Sequence, residues 1–114
     1  MTESQAQVKL IKQLSEYGFF WKASDRFRAG IPDVIGVVSS RFMAIELKID
    51  YNFPTPLQVH TLLKIVEHNG YAAVVTYSNR NKKWRVRERS FVSPRETALY
   101  LVERCTQGEN DIQD

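Results

Sequence analysis

Hydrophobic and polar positions recur with two different periods along this chain, and the changes of period divide it into elements. From Glu3 to Tyr17 the apolar residues Val8, Leu10, Ile11, Leu14 and Tyr17 form one stripe at about 100° per residue. This predicts a helix, opened by Thr2 as N-cap and stopped at Gly18. "FFWKAS" (Phe19–Ser24) is a strand pattern, followed by the loop "DRFRAGIP" with its breakers Gly30 and Pro32. "DVIGVV" and "FMAIELKI" are two strands joined by a short turn at Ser39–Arg41, which predicts an antiparallel hairpin. Thr55-Pro56 opens a second helix that ends near Asn69, with Gly70 behind it. "YAAVVTYS" (Tyr71–Ser78) is nearly all apolar, as in a strand covered on both faces. After a turn at "NRNKK", the alternating "WRVRERS" predicts one further strand. Ser93-Pro94-Arg95-Glu96 has the form of a capping box and starts a last helix to about Gln107, with Ala98, Leu99, Val102 and Cys105 inward. The expected order is α-β-β-β-α-β-β-α, an α/β domain over residues 1–107 with a central mixed sheet flanked by helices. Residues 108–114 are expected as a frayed tail.

Strand alternation puts Met43, Ile45, Leu47 and Ile49 on one face and Ala44, Glu46 and Lys48 on the other. Taken alone, Glu46 and Lys48 fit an ion pair on an exposed sheet face. Asp33 changes the picture, because hairpin pairing brings it to the Glu46 side. Two neighbouring carboxylates repel unless a cation lies between them. Their oxygens suit a hard ion such as Mg2+. A lysine beside them can orient water or offset charge on a phosphate under attack. These residue types, in this order, point to metal-dependent phosphodiester hydrolysis.

"PD", twelve residues, then "ELK" resembles the PD-(D/E)XK nuclease superfamily. "TPLQVHTLLKIVEHNGYAAVV", a helix with an early glutamine followed by a glycine and an apolar strand, resembles its VRR-NUC and Holliday-junction-resolvase branches. So does the leading helix with its early glutamate, and the likeness spans roughly Glu3 to Val75. The resemblance implies a restriction-endonuclease-like core and a structure-specific DNA endonuclease, foremost a Holliday junction resolvase working through metal-activated water. It implies Mg2+ as cofactor, with Mn2+ able to replace it. The alternatives are a VRR-NUC-type flap enzyme, a nicking or restriction-like nuclease, and a non-catalytic DNA-binding module. By the same resemblance Asp33, Glu46 and the Leu47 backbone carbonyl would bind the metal, and Lys48 would position the attacking water. Gln58 would support the site, and a helix glutamate would complete the acidic cluster. Helical phase favours Glu3 for that role, in line with Leu10, Leu14 and Tyr17, over the outward-pointing Glu16. Gln58 has a second explanation, since Thr55-x-x-Gln58 is itself a capping box. A homodimer would offer two sites to a pseudo-symmetric four-way junction. Phe19, Phe20, Trp21, Tyr51 and Phe53 are candidates for its interface.

With 114 residues, 43% of them apolar, the chain can fill one core. Its net charge is +3, but the segment after Val102 carries −3, so the rest is +6. A basic body favours an anionic partner, DNA above all. Two clusters are candidates for phosphate contact: Lys22, Arg26 and Arg28 before Asp33, and the run holding Lys82, Lys83, Arg85 and Arg87. On one straight strand Arg85, Arg87 and Arg89 would share a face, either tracking a backbone or protecting a charged edge. No run of 18 apolar residues occurs and the N-terminus is polar, which leads to the expectation of a cytoplasmic protein; the small size leads to that of a bacterial or phage-encoded one. Cys105 is the single cysteine, excluding an internal disulfide; its position suits a core filler. His60 and His68 are not spaced for zinc on one helix face.

Overall fold

The computed structural model describes residues 1–23 and 28–112. Ser24 and Arg26 fall outside it, and with them the expected end of the first strand and one basic candidate. The elements are α1 (Glu3–Leu14), β1 (Phe19–Lys22), β2 (Val34–Val38), β3 (Arg41–Ile49), α2 (Pro56–Glu67), β4 (Tyr71–Ser78), β5 (Lys83–Val86), β6 (Arg89–Phe91) and α3 (Pro94–Thr106). All six strands form one sheet in the order β1-β2-β3-β4-β5-β6. β3 and β4 run parallel, connected through α2, and the other neighbours are antiparallel. This is the mixed, helix-flanked sheet expected from the pattern. The β2–β3 turn is made by Ser39 and Ser40, both at positive φ (48° and 66°), which matches the twist of a two-residue hairpin.

The two faces of the sheet are covered differently. On one face α1 and α3 pack Leu10, Leu14, Leu101 and Cys105 against Met43, Ile45, Leu47, Val75 and Trp84. Truncating a buried leucine such as Leu10 would cost about 2–5 kcal/mol. On the other face α2 sets Leu62 and Ile65 over Ala44 and Ala72. These two alanines are register partners, and their small side chains let the helix sit close to the sheet. The helix thereby covers the strand face that carries Glu46.

Four features differ from the sequence reading. α1 ends at Leu14, and its buried side is Ala6, Gln7, Leu10 and Leu14, while Val8 and Tyr17 are exposed. The contact stripe is turned toward Gln7 because α1 is wedged between the sheet and α3. Leu99 of α3 is likewise exposed, and Thr97 and Leu101 take the inner positions. The expected single strand over 84–90 is a hairpin, turning at Arg87 (φ 54°) and Glu88. Val86 pairs with Arg89, so Arg89 lies on the Val86 face, with its guanidinium 5.6 Å over the Tyr100 ring. Arg85, Arg87 and Arg89 therefore do not share a face. Finally, the residues expected to fray are tied down as far as Asp111. That residue bridges to Ala73 and accepts hydrogen bonds from the Tyr71 hydroxyl (2.5 Å) and Arg104 Nε (3.2 Å).

Candidate active site

The ladder between β2 and β3 stops where Val34 faces Ile45. β3 runs on through Glu46, Leu47 and Lys48 with no β2 residue paired to it. Asp33, one residue before the ladder, occupies this gap, and its Oδ2 accepts the Leu47 N–H at 2.8 Å. An extended residue sends its N–H and its C=O to the same strand edge. The Leu47 carbonyl therefore also opens toward Asp33, as a metal-binding carbonyl would have to, while the Leu47 side chain is fully buried on the opposite side of the sheet from Glu46.

Two helix starts complete the cluster. The Thr55 cap of α2 is a full capping box in which Gln58 Oε1 accepts the Thr55 N–H at 2.8 Å. The same side chain donates from Nε2 to Glu46 Oε1 at 3.1 Å. Gln58 is thus both a helix cap and a neighbour of Glu46. The first residue of α1, capped by Thr2 and Gln5, is Glu3. Carboxylate oxygens of Glu3, Asp33 and Glu46 all lie within 4.8 Å of one another. Lys48 Nζ stands 3.6 Å from Glu46 Oε1. Helical phase pointed to Glu3, and Glu16, read as the outward side of the same helix, lies beyond the end of α1.

Crowding sets the protonation chemistry. Burial, then the Asp33 carboxyl, push Glu46 up to about 8, and Lys48 offsets only part of this. Glu3 is also raised, first by burial and then by Asp33. Glu46 is 1% exposed, and its Oε2 has no hydrogen-bond partner among the described residues. A buried carboxylate oxygen facing other carboxylates requires either a proton or a cation. Three carboxylates and a main-chain carbonyl are the hard oxygen donors that suit Mg2+ or Mn2+. The residues present fit such an ion.

On α1, a buried polar group was missed in the sequence. Gln7 is 5% exposed, with an Oε1 that lacks a partner among the described residues. It lies one helical turn beyond Glu3 on the same face, and the spacing Glu3, Gln7, Leu10, Leu14 was the available signal. Of the basic candidates, Lys22 borders the cluster, donating to Ser4 Oγ at 3.0 Å and partly offsetting the upward shift of Glu3. Arg28 and Lys82 are exposed. Lys83, Arg85 and Arg87 line an open groove on the α2 side of the sheet. Of the apolar interface candidates, Phe20 is buried in the core at 6% exposure, since Gly36 opposite it leaves the room its ring takes up. Phe19, Trp21, Tyr51 and Phe53 are exposed. Cys105 is buried, as a core filler should be. Among the described residues no helix is long and apolar enough to cross a membrane.

No protein-family model matches this chain, and no curated protein sequence matches it. Among solved structures, Hjc, a Holliday junction resolvase from the archaeal hyperthermophile Archaeoglobus fulgidus, superposes with a TM-score of 0.55. The match has 20% identity and covers 74% of this chain and 70% of that one. The fold is restriction-endonuclease-like. In this restriction-endonuclease-like fold the acidic cluster sits where the central hairpin opens, reached by the first turns of α1 and α2.

Proposed function

We propose that the chain is a divalent-metal-dependent, structure-specific DNA endonuclease, and within that class a resolvase of four-way junctions. One observation carries the reading: a buried Glu46 carboxylate, one oxygen without a partner among the described residues, faces Asp33 and Glu3 and is flanked by Lys48. Asp33, Glu46, the Leu47 carbonyl and Glu3 would hold Mg2+ or Mn2+. Such an ion, when bound, supplies a Lewis acid that polarises a phosphoryl oxygen and makes water a better nucleophile.

The protein's own groups do the rest. The Lys48 ammonium, beside Glu46, holds water at the mouth of the cluster and offsets charge that gathers on the phosphate during in-line attack. Gln58 is a positioning residue. Its amide fixes Glu46 Oε1 and so leaves Oε2 for the cluster. Lys22, Arg26, Arg28, Lys82, Lys83, Arg85 and Arg87 supply contacts to the DNA backbone. The resemblance to the resolvase neighbour and the basic body of the chain support a branched DNA substrate. A C2 pair of chains would present two such sites to a junction. The exposed Phe19, Val37 and Phe42, aligned across β1, β2 and β3, offer a surface for the second copy.

The test is cleavage of a labelled four-way junction beside a flap and a linear duplex, with Mg2+ or Mn2+. Asp33→Asn, Glu46→Gln and Lys48→Ala should each lower the rate by about 100-fold or more, and each should still shift the junction in a gel run with EDTA. Unchanged rates in all three variants sink the assignment. Preference for the flap would make the chain a flap enzyme of the VRR-NUC type instead, and absence of cleavage with either metal would make it a DNA-binding module.

A further inference from the structure

The open groove beside the cluster has two unlike walls. Its floor is the α2-side face of β4, where Val74 is the register partner of Glu46 and Thr76 the partner of Lys48. It therefore begins one strand spacing, about 4.8 Å, from the site. One wall is basic: Lys83 and Arg85 on β5, with Arg85 paired to Thr76, and Arg87 in the following turn. Arg85 spends its Nε on the Arg87 carbonyl at 2.7 Å, and neither Arg85 nor Lys83 has an acidic partner among the described residues. The other wall is the loop after β3, with Tyr51, Phe53 and Pro54. Tyr51 and Phe53 are 80% and 83% exposed, unusual for large apolar side chains. Two aspartates also line the groove: the buried Asp111 is paired with Arg104 and lies 4.0 Å from Arg87 Nη1, and Asp50 accepts the Asn79 N–H at 2.7 Å and keeps its charge. Three cations stand against two carboxylates along the lining, so the groove keeps a positive surplus, carried by Lys83 and Arg85.

A wall of cations facing a wall of exposed rings is the arrangement that holds single-stranded nucleic acid, with phosphates on one side and bases stacked on the other. A duplex keeps its bases stacked on each other and leaves such rings idle. Resting on the nuclease reading above, we infer that the groove carries an unpaired strand of the substrate. Its phosphates lie along Lys83 and Arg85, and its bases stack on Tyr51 and Phe53. The DNA held in this way is single-stranded on one side of the cleaved bond, as where the branch point of a junction opens.

The experiment is fluorescence anisotropy on the full chain in EDTA, with a labelled oligothymidylate of about ten nucleotides and a blunt hairpin duplex of similar length. The double variant Tyr51→Ala/Phe53→Ala should bind the single strand at least about tenfold more weakly and the duplex within twofold of wild type. Arg85→Ala should weaken single-strand binding and flatten its salt dependence. The ring-preserving swap Tyr51→Phe/Phe53→Tyr should bind like wild type, which separates stacking from misfolding. Unchanged single-strand affinity in the double alanine variant, or equal loss on both probes, overturns the inference. So does a shift from dimer to monomer in sedimentation caused by the double variant, which would assign the rings to a second copy of the chain. Cleavage is read separately. Junction or flap cleavage with ring-independent strand binding removes this inference alone, whereas ring-dependent binding without cleavage by either metal removes the nuclease reading alone.

Discussion

Glu46 shows how much a single buried carboxyl can control. In the unfolded chain it titrates near 4.5, and in the folded one near 8, because burial and Asp33 both disfavour its charge. Below about pH 4.5 both states hold the proton and the contribution of this group to stability is fully present. As pH rises toward and through 8 the unfolded chain has already released the proton while the fold must ionise a buried acid, so that stability is lost. Without metal, the melting temperature should therefore fall between about pH 5 and 8, by an amount equivalent to at most a few kcal/mol, and Glu46→Gln should flatten this part of the profile. Mg2+ should raise the melting temperature more at pH 8 than at pH 6, since only the ionised carboxylate binds it. Thermal melts in EDTA and in Mg2+ across this range check both statements; a profile of Glu46→Gln as steep as wild type would refute them. Asp33, Glu46 and Lys48 were legible as a group in the sequence, because strand alternation and the short hairpin bring them together, whereas Glu3 and Gln58 came to it only with the family resemblance. Alternation could not tell whether that face met water, and it takes α2, seated on Ala44 and Ala72, to bury it. Gln7 was harder to read, because only its spacing with Glu3, Leu10 and Leu14 marks it and a glutamine side chain carries no signature of burial of its own.

Between elements, much of the joinery runs through Arg41, the first residue of β3. Its guanidinium donates to the carbonyls of Asn69 (2.9 Å) and Gly70 (3.2 Å) behind α2, and to those of Cys105 (2.9 Å) and Glu109 (2.7 Å) at the end of α3. Helix C-termini leave carbonyls unpaired and carry partial negative charge, so one cation serves two of them. Arg41→Ala should lower stability by about 2–4 kcal/mol, seen as a lower urea midpoint with an unchanged slope, and Arg41→Lys should recover only part of it. An effect below about 0.5 kcal/mol would show that water replaces these contacts. Nothing in the sequence marks this role, since a basic residue at the start of a strand looks like any solvated one. The β5–β6 hairpin was hidden for a related reason. Its turn at Arg87-Glu88 lacks the glycine or asparagine that usually marks a reversal, and Arg87 takes the positive φ without them.

For the molecule as a whole, the order of helices and strands was readable because the caps at Thr2, Thr55 and Ser93 and the apolar run of β4 are strong local signals. The fate of the last residues was not, because "GENDIQD" is polar and its anchor is long-range. Asp111 lies against Tyr71, at the start of β4, and Arg104 of α3, and its bridge to Ala73 pairs the chain end with a part of β4 that β5 does not reach. Burial and the bond to Asp111 hold the Tyr71 phenol above its usual range, so it remains a hydrogen-bond donor. Asp111→Ala would strand both partners and should cost about 2–4 kcal/mol, while Asp111→Asn, which keeps an acceptor, should cost less; chemical denaturation of the two variants tests that order. The early end of the β2–β3 ladder has a different consequence. The Leu47 amide, left without a β2 partner, is bound among the described residues by the Asp33 carboxylate. Any change in what that carboxylate holds is felt by a single backbone nitrogen, which makes one NMR cross-peak a gauge of cation occupancy that needs neither substrate nor turnover.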